Sequence, residues 1–546
     1  MAVSGGFRTT VGGLRISARS PLPIAFLALI NFTVWLSWAR RAQAVDRDLE
    51  AAWQRLTHRV SVVAVALMVV AITAVFATRS AAGADASGYL SQADLWHDGK
   101  LFIRDPLQID LMDRDGSLTT PLGWRPTGLA MQAPTYPPGL PLLMAIPHAI
   151  AGVNGAAAVV LASAAIAIAA AAFVASRLAG SAAALLTAVM LGFTPVFLYQ
   201  SIQPMSDVPV TAAWMTCFAL LARRGASSDA PAGIACALAV LIRPNLAPLA
   251  IVPFLFAHKR LSFAVPVAIA GIFLAFVQWV WYGSPLRSGY GSAEELFALA
   301  NVMPNASRYV RWMLATAPVM LFGVIAFWRF RRERIAQAMA AFAVLVVASY
   351  LIYAVFDDWS YLRFLLPALA VLAILAASGM CVWFIRWPVS VRVPALFALA
   401  LGITAYNIYT ARILGTFQLA DRLSRVARVA EYVDANVPSE AVILSGEQSG
   451  AMRYYTGRPI LRWEAATPDA LGRAVTTLEQ SGRPVFIVLD AWEEEQFRTK
   501  LGAYPAAALD WPPMVEAGRS HRTRLWRLSD RDRFMRGAPL SITRLP

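Results

Sequence analysis

The chain reads as a polytopic α-helical membrane protein carrying a small C-terminal α/β domain outside the membrane, and three observations predict it. Of 546 residues, 58% are hydrophobic and 15% charged, with a mean hydropathy of +0.55; a soluble domain of this length needs far more polar surface. Apolar runs of about 20 residues, the length that crosses a hydrocarbon core, recur as far as Thr410. From about Arg412 those runs stop, and short strand-like and helix-like stretches alternate, the pattern of a small α/β unit.

The division is therefore 1–59, an N-terminal apolar segment and basic linker; 60–411, the membrane region; and 412–546, the outer domain. Within the first, Pro23–Trp38 is apolar and follows Arg8, Arg15 and Arg19. Ala42-Gln43-Ala44 resembles a leader-cleavage site, but Arg40 and Arg41 separate it from the apolar run. An extra span or an interfacial helix fits better. The next runs are Val60–Thr78, Val153–Ser176, Ala183–Tyr199, Val208–Leu221, Phe263–Tyr282, Tyr309–Phe327, Ile335–Val355, Leu365–Ile385 and Val393–Thr410. Pro231–Ala257 is apolar but broken by Arg243-Pro244-Asn245. It is too short for two full spans and reads as a hairpin of short helices. The expectation is about 11 to 12 membrane segments.

Charge sets the orientation. Lys and Arg number 48 against 33 Asp and Glu, a net +15. The Arg residues lie between spans with no basic-aromatic domain, which excludes nucleic-acid binding as their purpose. Arg40 to Arg59, Arg223 and Arg224, Lys259 and Arg260, Arg329 to Arg334, then Arg386 and Arg392 occupy alternate connections. Placed inside, they put the outer loop of about 79–152, Ser206-Asp207, Tyr282–Arg308, Asp357–Arg363 and the C-terminal domain outside. In that domain Leu419–Val433, Ala470–Leu478 and Trp492–Leu501 read as helices, and Ala441–Leu444 and Pro484–Leu489 as strands. Gly446-Glu447-Gln448-Ser449-Gly450 is too loose a match for a phosphate-binding loop.

The chemistry-bearing residues gather at outer span ends. Asp85 follows the first span within Ala84-Asp85-Ala86-Ser87-Gly88-Tyr89, and Asp207 opens another within Met205-Ser206-Asp207-Val208-Pro209. An isolated carboxylate at such a place is most often a helix cap. Two on one face can divide labour, one taking a proton while the other orients an acceptor or cation. Arg243 sits inside the predicted membrane layer, where an uncompensated charge is costly, so it faces a cavity or a partner, or snorkels to the surface. Arg363, within Tyr361-Leu362-Arg363-Phe364, suits an anionic head group because guanidinium pairs bidentately with phosphate oxygens; the plainer reading is an interfacial anchor. Arg287 and Tyr290 form a third outer cluster, and Tyr136-Pro137-Pro138-Gly139 returns the chain to the membrane layer. The outer-loop carboxylates Asp94, Asp98, Asp105, Asp110, Asp113 and Asp115 read as mostly solvated. Cys217, Cys236 and Cys381 lie in apolar runs without metal-ligand spacing.

Taken in order, these pieces resemble the GT-C membrane glycosyltransferases, specifically the family-39 group of protein O-mannosyltransferases and the lipid A aminoarabinose transferase. The resemblance covers roughly Val60 to Thr410. It rests on an Asp after the first span, the long outer loop, the Tyr-Pro-Pro-Gly re-entry, the Ser-Asp-x-Pro span start, the Arg-Pro hairpin and Tyr-x-Arg-Phe-x-x-Pro. It implies a polyprenyl-phosphate sugar donor, a protein, lipid or glycan acceptor, and inverting displacement on the outer face of a bacterial inner (plasma) membrane. It also implies Asp85 as catalytic base and Asp207 as a second acidic position; Tyr89, Tyr136, Arg243, Arg287, Tyr290, Tyr361 and Arg363 are the candidate substrate-binding residues beside them. No cofactor is certain, and a divalent metal is left open. One departure stands out: many relatives carry Asp-Glu at the first motif, whereas Asp85 is followed here by Ala86, so the role of that Glu is absent or relocated. The rival readings are a transporter or flippase of lipid-linked sugars, whose ionisable residues lie near the bilayer midplane in repeated halves, and a non-catalytic scaffold. No internal repeat is apparent.

Overall fold

A computed structural model describes residues 8–11, 14–17, 50–51, 53–55, 57, 59–223, 226–291, 293–519 and 521–545. The Pro23–Trp38 segment lies outside the described residues. The rest is mostly helical. Five described helices are long and apolar enough to cross a membrane, six if one bent pair counts as a single span. Shorter apolar helices at Val60–Val75, Asp207–Leu221, Asp229–Ile242 and Pro244–Phe256 pack among them.

Backbone chemistry explains where the helices differ from the runs read in the sequence. Gly139–Gly192 is a run of helices interrupted at Ala151-Gly152 and Ala179-Gly180, and the expected runs Val153–Ser176 and Ala183–Tyr199 each begin shortly after one of these breaks. Gly152 and Gly180 take φ of 56° and 83° there, a left-handed geometry that a side chain resists. Tyr309–Phe327, expected as one span, is broken instead. An amphipathic helix, Val302–Thr316, gives way at Ala317-Pro318 to a second piece bent by 114°. Pro318 lacks an N–H and disfavours helical geometry at the residue before it, and Ala317 accordingly sits at φ −146°, ψ 41°. The Arg243-Pro244 interruption is as expected: helix Asp229–Ile242 ends at Arg243, and a 3₁₀ turn, Pro244–Ala250, leads into Ile251–Phe256.

The outer stretch after the first span is not a plain loop. It holds a 14-residue helix, Ala84–His97, and a three-stranded antiparallel sheet of Ile103–Arg104, Met131–Pro134 and Trp124–Gly128. The C-terminal domain carries a six-stranded sheet. Its order runs Thr543–Leu545, Val515–Ala517, Thr523–Arg527, Val485–Asp490, Val442–Ser445, Ile460–Arg462. The two expected strands pair in parallel with Val442 opposite Val485, both fully buried lengths. Helices Leu419–Asn436, Pro468–Gln480 and Glu494–Leu501 match the helical expectations.

Domain and outer stretch are built into one another. Leu107 and Leu118 belong to the same apolar core as Leu444, Ile487 and Phe497. Arg462 N donates to Leu118 O at 2.7 Å, Arg453 pairs with Asp105 at 3.3 Å, and Arg483 with Asp110 at 3.3 Å. Asp105 is 1% exposed, so the expectation of a solvated carboxylate fails there. Its partner is 348 residues away, beyond any local signal.

The orientation has a direct check. In a background lacking the three buried cysteines, a cysteine replacing exposed Lys100 in the outer stretch is expected to react with a membrane-impermeant thiol reagent added outside. One replacing exposed Glu333, in a basic connection, is expected to stay unlabelled until the membrane is opened. Reversed labelling overturns the assignment of sides.

Candidate active site

A cavity of about 1000 Å³ opens where the outer helix, the Arg243 turn, the Trp359–Leu365 turn and the C-terminal domain meet. Asp85 lies in the first turn of the outer helix, yet it does not cap it: the cap position is Gly83, and no side chain fills that role. The carboxylate points across the cavity instead. Tyr136 OH donates to its Oδ1 at 2.8 Å, and Arg363 Nη2 donates to its Oδ2 at 3.0 Å. Its side chain is 35% exposed.

Two glycines make this approach feasible. A Cβ at Gly88 would lie 2.1 Å from the Tyr136 ring, so only glycine lets that ring pass the helix and reach Asp85. A Cβ at Gly139 would meet the Leu241-Ile242 backbone at 2.4 Å. The last residue of the Tyr-Pro-Pro-Gly motif thus sets the re-entering helix against the turn that presents Arg243. Tyr136 also packs on Tyr89 and Tyr290, with ring centroids 4.6 and 5.9 Å away.

The second ion pair is deeper. Arg243 Nη2 donates to Asp207 Oδ1 at 2.7 Å and to Ser206 Oγ at 3.1 Å. Asp207 is 0% exposed and its Oδ2 has no hydrogen-bond partner among the described residues. Asn245 donates to Tyr350 OH at 2.9 Å, beside Arg243. Tyr350 stacks on Phe364, and the Arg243 and Arg363 guanidiniums sit 5.8 and 5.3 Å from that ring. The aromatic floor holds both cations by their faces. Arg363 also lies over Tyr361, which stacks on Phe356 at 4.1 Å. Its buried Nε finds no acceptor among the described residues.

Asp85, Asp207, Tyr89, Tyr136, Arg243, Tyr290, Tyr361 and Arg363 therefore line one cavity. Arg287 does not: it is exposed and outside the lining, although its neighbours Leu286 and Ser288 belong to it. Sequence reasoning missed Tyr350, Asn245 and Glu447, which also line the cavity. Asn245 had a signal in its place directly after Arg243-Pro244. Glu447, from the C-terminal domain, had none. Among the described residues no group of three or more His, Cys, Asp or Glu is arranged to hold a metal ion.

No protein-family model matches this chain, and no curated protein sequence matches it either. Solved structures do. The chain is similar to ArnT from Cupriavidus metallidurans bound to undecaprenyl phosphate, with 15% identity, a TM-score of 0.57 and coverage of 85% of this chain and 97% of that one. It is also similar to the Archaeoglobus fulgidus oligosaccharyltransferase in complex with Zn and sulfate, with 15% identity, a TM-score of 0.52 and coverage of 85% and 73%. The expected resemblance holds at the level of the fold: the chain shares the architecture of these two proteins over 85% of its length.

Proposed function

We propose that this chain is a multi-pass glycosyltransferase of the inner (plasma) membrane. It moves a hexosyl or pentosyl unit from a polyprenyl-phosphate donor to an acceptor hydroxyl or amine on the outer face. The observation that carries the reading is the pairing of Asp85 with Arg363 in a cavity that also holds Arg243, Asn245 and the tyrosines. The similar ArnT structure has undecaprenyl phosphate bound, and two guanidiniums are the groups such a phosphate needs.

The acceptor oxygen attacks the anomeric carbon while the bond from that carbon to the phosphate oxygen breaks. The lipid phosphate keeps the electron pair, and the configuration inverts. Asp85 takes the acceptor proton. Negative charge that grows on the leaving phosphate is met by Arg363 and Arg243, already fixed in place by carboxylates and aromatic faces. Preorganisation matters here: no side chain has to be recruited or desolvated as the charge develops.

Incubation of the purified protein with a panel of polyprenyl-phosphate sugars is expected to release lipid phosphate with at least one of them, faster when acceptor lipid or protein is present. Binding of several donors without any release, together with their movement across sealed vesicles, would favour a flippase and overturn the proposal.

A further inference from the structure

The loop that enters the site from the C-terminal domain is pinned on both sides. Following strand Val442–Ser445, Gln448 Oε1 accepts from Gly83 N at 3.1 Å and Ser449 Oγ accepts from Leu122 N at 3.1 Å. Glu447 N donates to Glu493 Oε1 at 2.9 Å. The backbone is thus held between the outer helix and its own domain, while the Glu447 side chain lines the cavity. Its Oε1 lies 3.6 Å from where a side chain at Gly83, two residues before Asp85, would begin. No described cation or hydrogen-bond donor meets this carboxylate.

We propose that Glu447 is the proton relay of the transfer site, passing to solvent the proton that Asp85 draws from the acceptor. This rests on the glycosyl-transfer reading above. It also gives the cavity that Asp85 lines a second carboxylate, supplied by the C-terminal domain. The atoms balance: the acceptor oxygen gains the sugar and gives its proton to Asp85, Asp85 hands it to Glu447, and water or buffer removes it.

The physical case begins with Asp85. Once protonated, it no longer pairs as an anion with Arg363, and the base is spent until the proton leaves. The proton must leave before the next turnover. Glu447 is suited to receive it: burial, then the charges of Glu493, Asp85, Asp490 and Glu464, push its carboxyl up to about 7. A carrier works best with a pKa near the operating pH.

The neighbouring carboxylates are otherwise engaged. Asp490 pairs with Arg425 at 2.9 Å, and Glu464 lies 3.6 Å from Arg462. Burial raises Glu493 to about 7 as well, but it accepts from the backbone of Glu447 and Asp490 and from Trp463 Nε1, is 1% exposed and does not line the cavity. Across the cavity stand Tyr361 and Arg363, the latter held by Asp85.

The ionised form of Glu447 is the working one, so turnover is expected to fall as the pH drops from about 8 to about 6. In Glu447→Gln, donor binding should be unchanged, turnover roughly 100-fold lower, and that acid limb absent. Imidazole, a diffusible base titrating near the same pH, should restore turnover to Glu447→Ala. A wild-type rate in Glu447→Gln, or a low rate that keeps the same acid limb, overturns the proposal. Should Glu447→Gln fail to bind donor, Glu447→Asp decides: a displaced limb supports the relay and an unchanged limb and rate refute it. Absence of transfer by the unmodified protein at every pH defeats the proposed function instead.

Discussion

Asp85→Asn is expected to leave a folded protein that still binds lipid-phosphate sugar but turns it over roughly 10² to 10⁴ times more slowly, a loss of about 3 to 5 kcal/mol in transition-state stabilisation. The geometry separates this outcome from a structural one. Asp85 does not cap the outer helix, since its two oxygens are taken by Tyr136 and Arg363. Asn keeps one acceptor for the Tyr136 hydroxyl, and the site is half-open, so the ion pair lost is worth only about 1 kcal/mol of stability. Arg363 is left without its counter-ion and has more to offer a phosphate, so donor affinity should hold or rise while turnover collapses. Asp85→Glu keeps the charge but carries the base past its position, and should recover only part of the rate. Near-normal turnover in folded Asp85→Asn protein would remove Asp85 from the mechanism.

The sequence made the apolar helices legible because length and hydropathy are what a bilayer demands of a helix, although only five of the described helices, six with the bent pair, are long and apolar enough to cross one, against the 11 to 12 segments expected. Apolar runs such as Val208–Leu221 and Leu365–Ile385 come within a few residues of helices Asp207–Leu221 and Leu366–Phe384. Arg243-Pro244 gave away its turn because proline breaks helices locally. What stayed hidden was anything settled at a distance. The outer-stretch strands are two to five residues long and show no alternation. The edge strands of the C-terminal sheet, Thr543–Leu545 and Ile460–Arg462, have three residues each. Neither length sustains a period-two pattern.

The same rule divides the candidate site. Asp85, Asp207, Arg243 and Arg363 were each legible as charges at outer span ends or inside an apolar hairpin. Which carboxylate meets which guanidinium was not, because Arg363 and Asp85 are 278 residues apart in the chain. Glu447 was hidden for a different reason. Its loop was weighed as a phosphate binder and discounted, but its place in the site comes from where the domain docks. Arg287 shows the converse case: a cation in a promising stretch, with nothing in the sequence to say that it is exposed and outside the cavity lining.

Asp207 and Arg243 provide the largest expected effect on stability, and they also test which carboxylate is the base. Asp207 is fully buried and meets Arg243 at 2.7 Å, so the pair is neutral only while both partners are present. Replacing Asp207 by Ala strands a guanidinium away from water, which typically costs about 3 to 5 kcal/mol. The thermal midpoint in detergent should fall accordingly. Arg243→Met should also be costly, since it strands the carboxylate. The double variant should lose less than the sum of the two, by about 0.5 to 3 kcal/mol, because no unpaired charge remains. Kinetics add a second axis. Arg243→Met removes a cation that the donor phosphate needs, so weakened donor binding should accompany its slower turnover, whereas Asp85→Asn should lose turnover alone. Suppose instead that Asp207→Asn proved as stable as the parent, bound donor normally and lost turnover by the factor expected of Asp85→Asn. The buried carboxylate would then be the proton acceptor, and the Asp85–Arg363 pair would be left with orienting the phosphate.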